Sequence, residues 1–262
     1  MTELALPANV LLIYLLVFIR YVALLEASTL FSSVYAPPAF RFFFCALLSM
    51  VSVNTVDLTI PLFLFENWTS IVILAIREFV IGYLLGLLAF LPLTALHIAG
   101  DQTGTVIGLA MASALDPLSQ SQVSIIGQMH IFLGFWFYFH WNGHLLIIQS
   151  VIESLQLIPP AAGLSFFASS DMSLGLWIQE AFELALRMVI PFYCSILLAD
   201  VGLGFLARTV PQMNIFVLGL PLKIGLGFFV LWILLPYIVD VLFESVERYI
   251  EFALGSITTF GT

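Results

Sequence analysis

Charged side chains are scarce in this sequence, and positive ones most of all. Of its 262 residues 9% are charged, and seven Lys and Arg against sixteen Asp and Glu give a formal net charge of -9. Soluble domains carry about 25% charged residues. Because proteins bind nucleic acid by neutralising phosphates with Lys and Arg, this balance excludes a nucleic-acid partner. The basic residues are also too few and too scattered to orient the chain by the positive-inside rule.

Side chains that perform chemistry are scarce as well. Cys45 and Cys194 lie far apart inside apolar runs, so we interpret both as small hydrophobic residues. His140 and His144 are four residues apart, but Asn142-Gly143 between them argues against one helix presenting both to a metal. No paired-carboxylate, nucleophile-elbow or phosphate-loop pattern is present. The sequence therefore predicts a protein that is no enzyme and holds neither a cofactor nor a metal.

Apolar residues are what the sequence has in abundance. They make up 62% of the chain, and the mean hydropathy is +1.13. No basic residue precedes the first apolar run, so we expect no cleaved secretory signal. Since a membrane span needs about 20 apolar residues, the pattern predicts an all-α, membrane-associated protein. The predicted segments are Asn9–Leu25, Phe40–Val53, Trp68–Ile98, Val123–Phe139, Leu145–Ile158, Leu174–Ala207 and Ile215–Val239.

A few charges lie inside the apolar segments. Arg77 and Glu78 fall in the third segment, and Glu183 and Arg187 fall in the sixth. A charged side chain at mid-bilayer costs about 2.5–3.5 kcal/mol, so we expect these residues to face protein rather than lipid. Glu183 precedes Arg187 by four residues, which is the order and spacing of a favourable pair on one helix face. We predict a buried structural ion pair there; a proton relay is the less favoured alternative.

A ladder of small residues precedes a break in the middle of the chain. Gly100, Gly104, Gly108 and Ala112 repeat every four positions, and on a helix they form one smooth stripe. The chain must then leave the helix over 113–117, which ends in proline. A glycine-rich segment that is weakly helical is also what a movable constriction needs. Close helix packing and a movable constriction therefore both stay open.

Two long apolar segments flank a polar stretch near the C-terminal end. The segment Leu174–Ala207 would reach about 50 Å at about 1.5 Å per residue, past a hydrocarbon core of about 30 Å. We expect it to project from the bilayer or to pack inside an assembly. The stretch Ala199–Phe216 predicts a tight turn between two helices. Asn214 is suited to cap the second helix at a tip exposed to water, and Lys223 to snorkel back towards that tip.

Four groups of residues, in this order, resemble the FliR family of flagellar export-apparatus proteins and more distantly the SctT family of injectisomes. They are Arg77-Glu78 followed by Gly82 and Gly86; Gly108-Leu109-Ala110-Met111-Ala112 running to Asp116-Pro117; Asn142-Gly143-His144; and Leu203-Gly204 through Arg208, Pro211-Gln212, Asn214-Ile215-Phe216 and Pro221. The resemblance spans nearly the whole chain. Asn142-Gly143-His144 favours the flagellar branch.

This resemblance implies a single-copy subunit of an export gate in the bacterial inner membrane, at the flagellar basal body. The partners it implies are FliP-like and FliQ-like subunits, an FlhB-type subunit and unfolded flagellar export substrates. Residues 1–165 would form a FliP-like helical part, and residues 166–262 a FliQ-like long helical hairpin plus a C-terminal amphipathic helix. The alternatives are a virulence-type export gate subunit and, less favoured, a small-molecule or ion transporter.

The resemblance also implies roles for individual residues. A plug segment, about residues 100–122, would close the channel at rest. Its residues are Gly104, Gly108, Met111, Ala112, Ser113, Asp116 and Pro117. The hairpin tip would lie at the cytoplasmic entrance and contact a partner. The entrance residues are Arg208, Pro211, Gln212, Asn214 and Lys223.

Overall fold

The chain is almost entirely helical in the part that the computed structural model describes. The described residues are 5–28, 37–53, 68–109, 124–160, 174–209 and 215–258. Their helices are α1 (Ala5–Ala27), α2 (Pro38–Ser52), α3 (Trp68–Ile107), α4 (Ile125–His140), α5 (Gly143–Leu157), α6 (Leu174–Thr209) and α7 (Ile215–Thr258). Each predicted apolar segment corresponds to one helix, and these residues hold no strand. The predicted all-α class is confirmed.

Four of these helices are long and apolar enough to cross a membrane. The stretches are Val10–Ala27, Trp68–Ile107, Gly175–Leu206 and Gly219–Val246, and α4 with α5 adds a fifth if the two form one broken span. α2 has 15 residues and is too short. α6 and α7 have 36 and 44 residues, or about 54 and 66 Å at about 1.5 Å per residue. α7 continues to Thr258, and the predicted C-terminal amphipathic helix stays a prediction.

The chain breaks between α4 and α5, as the sequence predicts. Asn142 has φ 57° and ψ 25°, in the left-handed region that asparagine tolerates better than most residues. Its carbonyl oxygen accepts hydrogen bonds from the amides of Leu145 and Leu146, at 2.8 and 3.2 Å. His140 and His144 therefore belong to different helices. In the described part of the chain, no three His, Cys, Asp or Glu side chains gather as metal ligands would.

The helices are divided between two compact units. The first unit takes in the described residues of Met1–Phe90, Asn142–Ser173 and Val246–Thr262, and the second those of Leu91–Trp141 and Leu174–Ser245. This division rests on which residues pack together in the structure. The predicted boundary at residue 165 separates a FliP-like part from a FliQ-like part, which is a statement about family resemblance, and it stays a prediction.

The first unit is built around buried charges. Arg20 Nε donates to Glu78 Oε2 at 2.6 Å, and Arg77 donates to the other oxygen, Oε1, at 2.7 Å. All three side chains are fully buried. Arg20 also donates to Ser154 Oγ at 3.0 Å and to the carbonyl oxygen of Ile158 at 3.1 Å. Glu78 on α3 thus pairs with Arg20 on α1, and Arg20 in turn donates to the end of α5.

Backbone carbonyl groups complete this network. Arg77 donates to the carbonyl oxygens of Pro159 and Pro160, at 3.1 and 2.7 Å. Because an unpaired buried charge is very costly, two guanidinium groups can share one carboxylate here only with such additional acceptors. The network therefore fixes where the chain leaves α5.

Two glycines let α1 and α3 approach closely enough for this network. A Cβ at Gly82 would overlap the carbonyl oxygen of Arg20, and a Cβ at Gly86 would lie 2.5 Å from that of Leu24. Small residues four positions apart are a common way for membrane helices to pack backbone against backbone. The motif of Glu78 followed by Gly82 and Gly86 thus combines a charge partner with a close helix contact.

The second unit has an apolar core shared by the end of α3 with α4, α6 and α7. Its buried residues are Ala95, Leu96, Ala99, Ile126, Leu184, Ala185, Met188, Val189, Phe192, Leu231, Ile238 and Leu242. The other faces of α6 and α7 are open. Only 22% and 17% of the residues in their apolar stretches are buried, against 61% for α3.

Replacing Glu78 by Gln is expected to destabilise the protein strongly. It removes the one carboxylate from between two buried guanidinium groups, and leaving buried charges uncompensated costs about 3–5 kcal/mol. Thermal unfolding of the purified chain in detergent measures the effect. The matched control is Glu26→Gln, because Glu26 pairs with Arg41 but is 54% exposed, and such pairs contribute only about 0–1 kcal/mol. Equal destabilisation by both substitutions would contradict the role of the network.

Candidate functional site

The predicted site residues fall partly inside and partly outside the described residues. Gly104 and Gly108 lie at the end of α3, Arg208 near the end of α6 and Lys223 in α7. Those outside the described residues are Met111, Ala112, Ser113, Asp116, Pro117, Pro211, Gln212 and Asn214. The candidate site is therefore the end of α3 with the elements that pack on it, all within the second unit.

α3 ends in a Schellman motif at Gly108. This residue has φ 93°, which glycine adopts without steric cost. Its amide donates to the carbonyl oxygen of Thr105 at 3.1 Å, and the amide of Leu109 donates to that of Gly104 at 3.1 Å. The expectation of one helical stripe over residues 100–112 is wrong, because the chain leaves the helix at Gly108.

The remaining part of the stripe packs against α4. A Cβ at Gly100 would lie 2.8 Å from Gly127 Cα, and a Cβ at Gly104 would lie 2.6 Å from Ser124 Oγ. Both distances are shorter than real Cβ atoms show, so a side chain at Gly100 would displace the α4 backbone and one at Gly104 would displace the Ser124 hydroxyl. Close helix packing, one of the two roles that the sequence leaves open, is confirmed for Gly100 and Gly104.

The chain re-enters the described structure at Ser124, the N-cap of α4. The Ser124 Oγ accepts a hydrogen bond from the amide of Gly127 at 3.0 Å. The carboxylate of Asp101 on α3 lies against Gly127, in the place where a Cβ would be. Since the same Ser124 Oγ lies beside Gly104, the residues before and after the segment 110–123 are held together.

Polar side chains near this contact have partners within the chain. The imidazole Nδ1 of His130 lies 2.9 Å from the carbonyl oxygen of Ile126, and the ring is buried. Tyr193 on α6 donates to Gln102 Oε1 on α3 at 3.2 Å. His130 is thus a satisfied core histidine, and α6 reaches the end of α3 through Tyr193.

α7 covers another side of the end of α3. Ile107 is fully buried, and its side chain occupies the place where a Cβ at Gly227 would lie. Lys223 lies between this contact and the start of α7, and its Nζ is 2.5 Å from Asp200 Oδ1 on α6. The lysine thus reaches α6. The tip residues 210–214 lie outside the described residues, and the contact of Lys223 with a partner subunit stays a prediction.

The ion pair predicted on α6 forms, but it is not buried. Arg187 donates to Glu183 Oε1 at 2.7 Å, and the two side chains are 60% and 54% exposed. The pair faces away from the core of this chain because Leu184 and Met188, one position further along, turn towards that core. Burial of the pair against partner subunits stays a prediction. Large apolar side chains share the exposed surface of α6. They are Ile178, Phe182, Leu186, Ile190, Leu197 and Leu198.

Sequence reasoning missed Arg20 and the contact of Ile107 with Gly227. A signal existed for Arg20, since a lone basic residue in an apolar segment needs a buried acidic partner. No comparable signal exists for Gly227. Gly225 stands two residues earlier in the same apolar run, and nothing lies within 4 Å of where its Cβ would be.

Comparison with known proteins gives one family and a set of relatives. Residues 11–249 match the family described as bacterial export proteins, family 1. A flagellar biosynthetic protein FliR from Bacillus subtilis (strain 168) is 33% identical over 222 residues, which cover 83% of this chain and 84% of that protein. FliR from Aquifex aeolicus (strain VF5) is 26% identical over 224 residues, 86% and 85% of the two chains. The secretion system apparatus protein SsaT from Salmonella typhimurium is 29% identical over 178 residues, 66% and 67%.

Replacing Gly108 by Ala is expected to destabilise the protein by about 1–2 kcal/mol, because a side chain is strained in the left-handed region. The matched control is Gly202→Ala in α6, where nothing lies within 4 Å of the Cβ position. Alanine there is expected to be neutral or to stabilise by up to about 1 kcal/mol, through helix propensity. Thermal unfolding in detergent compares the two. A Gly108→Ala protein as stable as Gly202→Ala would show that the helix end does not depend on glycine.

Proposed function

Because the chain belongs to family 1 of the bacterial export proteins, we propose that it is a core subunit of the flagellar type III export gate. It forms with FliP-like and FliQ-like subunits the conduit for unfolded flagellar subunits, in the bacterial inner membrane at the flagellar basal body. The observation that carries the proposal is the family match over residues 11–249, with FliR proteins among the relatives. Flagellar export is favoured over virulence-type export, because FliR from Bacillus subtilis and FliR from Aquifex aeolicus match 83% and 86% of the chain, against 66% for SsaT.

The open surface of α6 and α7 supports a role inside an assembly. Exposed apolar side chains there are mixed with the Glu183–Arg187 pair. Lipid is a poor environment for this mixture, since a charge at mid-bilayer costs about 2.5–3.5 kcal/mol. Water is equally poor for so large an apolar surface. A surface of neighbouring protein subunits accommodates both.

The two long helices also suit the proposed FliQ-like hairpin of residues 166–262, which would follow a FliP-like part of residues 1–165. The pair of Lys223 with Asp200 joins α6 to α7 at 2.5 Å. Arg208 is exposed near the end of α6. In the proposed gate the hairpin tip, with Arg208, Pro211, Gln212 and Asn214, faces the cytoplasmic entrance and the FlhB-type subunit.

The plug is proposed for the segment that begins after Gly108. Gly108 turns the chain out of α3, and Ser124 returns it to α4 beside Gly104. A segment whose two ends are held by packed helices can fill a conduit and can return to it after a substrate has displaced it. Its small residues make displacement by an extended substrate inexpensive, because little side-chain contact is broken. The proposed contact residues are Met111, Ala112, Ser113, Asp116 and Pro117.

A photo-crosslinking amino acid in place of Met111 is expected to capture an export substrate that is stalled in the gate. The proposed plug lines the path, so it must lie against the passing chain. The control is the same amino acid in place of Met50, which is 67% exposed on α2 and is expected to label lipid or neighbouring subunits. Labelling of only lipid or neighbours from position 111, with substrate stalled, would show that the plug assignment is wrong.

A further inference from the structure

We propose that Gly227 is a positioning residue. Because it has no side chain, it leaves room for the end of α3 to pack against α7, and it thereby holds the proposed plug segment in place. Ile107 is the last helical residue of α3 and is fully buried. Its side chain fills the space beside Gly227, where a Cβ would overlap Cγ1 and Cδ1 and lie 3.0 Å from Cγ2. We call this contact between the Ile107 side chain and Gly227 the Gly227 notch. It rests on the proposed function, because Ile107 lies directly before the proposed plug.

The notch leaves the Ile107 side chain no room to rotate away. A long flexible side chain can move its far end aside for an added methyl group, but isoleucine branches at Cβ and its χ1 is stiff in a helix. Three of its carbon atoms surround the position in question, and protein interiors are close-packed. A Cβ at Gly227 must therefore push the end of α3 away from α7.

The neighbouring contacts extend this dependence to the turn at Gly108. Leu220 of α7 lies beside Gly108, with its Cδ1 2.9 Å from where a Cβ would be. Leu220 and Gly227 are seven residues apart, so they lie about two turns apart on one face of α7. Between them Lys223 is paired with Asp200 of α6. One stretch of α7 thus packs against the end of α3 and also carries the pair with α6.

Matched substitutions at Gly227 and Gly225 test the notch. The two residues lie on the same helix, but only Gly227 has neighbours within 4 Å of its Cβ position. In the assembled gate, reconstituted in liposomes without substrate, we expect Gly227→Ala to raise ion conductance several-fold and Gly227→Val to raise it further. Gly225→Ala and Gly225→Val are expected to leave conductance at the wild-type level. If the Gly227 variants and the Gly225 variants show the same conductance, whether above or at the wild-type level, the proposal is overturned.

A rescue experiment separates positioning from a general loss of structure. Ile107→Ala removes the carbon atoms that a Cβ at Gly227 would overlap. The double variant Ile107→Ala, Gly227→Ala is therefore expected to leak less than Gly227→Ala alone. If Gly227→Ala does not assemble, the double variant is expected to restore assembly. A double variant as defective as the single one contradicts the notch.

Crosslinking separates failure of the notch from failure of the proposed function. With Cys45→Ala and Cys194→Ala as background, the pair Ile107→Cys and Gly227→Cys is expected to join through a short thiol-specific crosslinker in the purified chain. No crosslink would reject the notch and leave the export function standing. A crosslink together with unchanged conductance in the Gly227 variants would keep the contact but reject its role in closing a channel.

Discussion

A single buried carboxylate holds the first unit together. Glu78 accepts hydrogen bonds from Arg20 and Arg77, and none of the three side chains reaches the surface. Two cations and one anion leave a positive surplus, and the carbonyl oxygens of Pro159 and Pro160 accept hydrogen bonds from Arg77. Apolar packing is non-directional, so this network is what gives α1, α3 and α5 one definite arrangement.

The same constraint explains the exposed charges of the second unit. In a chain with 9% charged residues, a charge inside an apolar segment needs a defined partner. Glu78 finds its partners within the chain, whereas the Glu183–Arg187 pair faces outward among apolar side chains. In the proposed gate, neighbouring subunits pack against this pair and against the apolar side chains around it. Gly202 and Gly204, with nothing within 4 Å of their Cβ positions, leave room for other helices to approach there.

The positions of the helices could be predicted from the sequence, because long apolar runs admit few alternatives. The structural role of each glycine could not be predicted from the sequence. Gly104 permits a helix contact, Gly108 turns the chain, Gly227 forms a notch and Gly225 faces open space. The role of each glycine depends on which helix or side chain packs opposite it. The spacing of residues along the sequence does not reveal that. Similarly, the spacing of Glu183–Arg187 predicts that they pair but not which way the pair faces.

In the proposed gate, partner subunits cover the exposed surface of α6, and the two cysteines allow this to be measured directly. Cys194 is exposed on α6, whereas Cys45 is buried in α2, where burial raises the pKa of its thiol to about 11. Cys45 therefore stays protonated and unreactive at neutral pH and serves as the internal reference. We predict that maleimide alkylates Cys194 in the isolated chain, and that Cys194 is protected in a complex purified in mild detergent together with FliP-like and FliQ-like subunits. Equal alkylation of Cys194 in the isolated chain and in that complex would contradict this assignment of the surface.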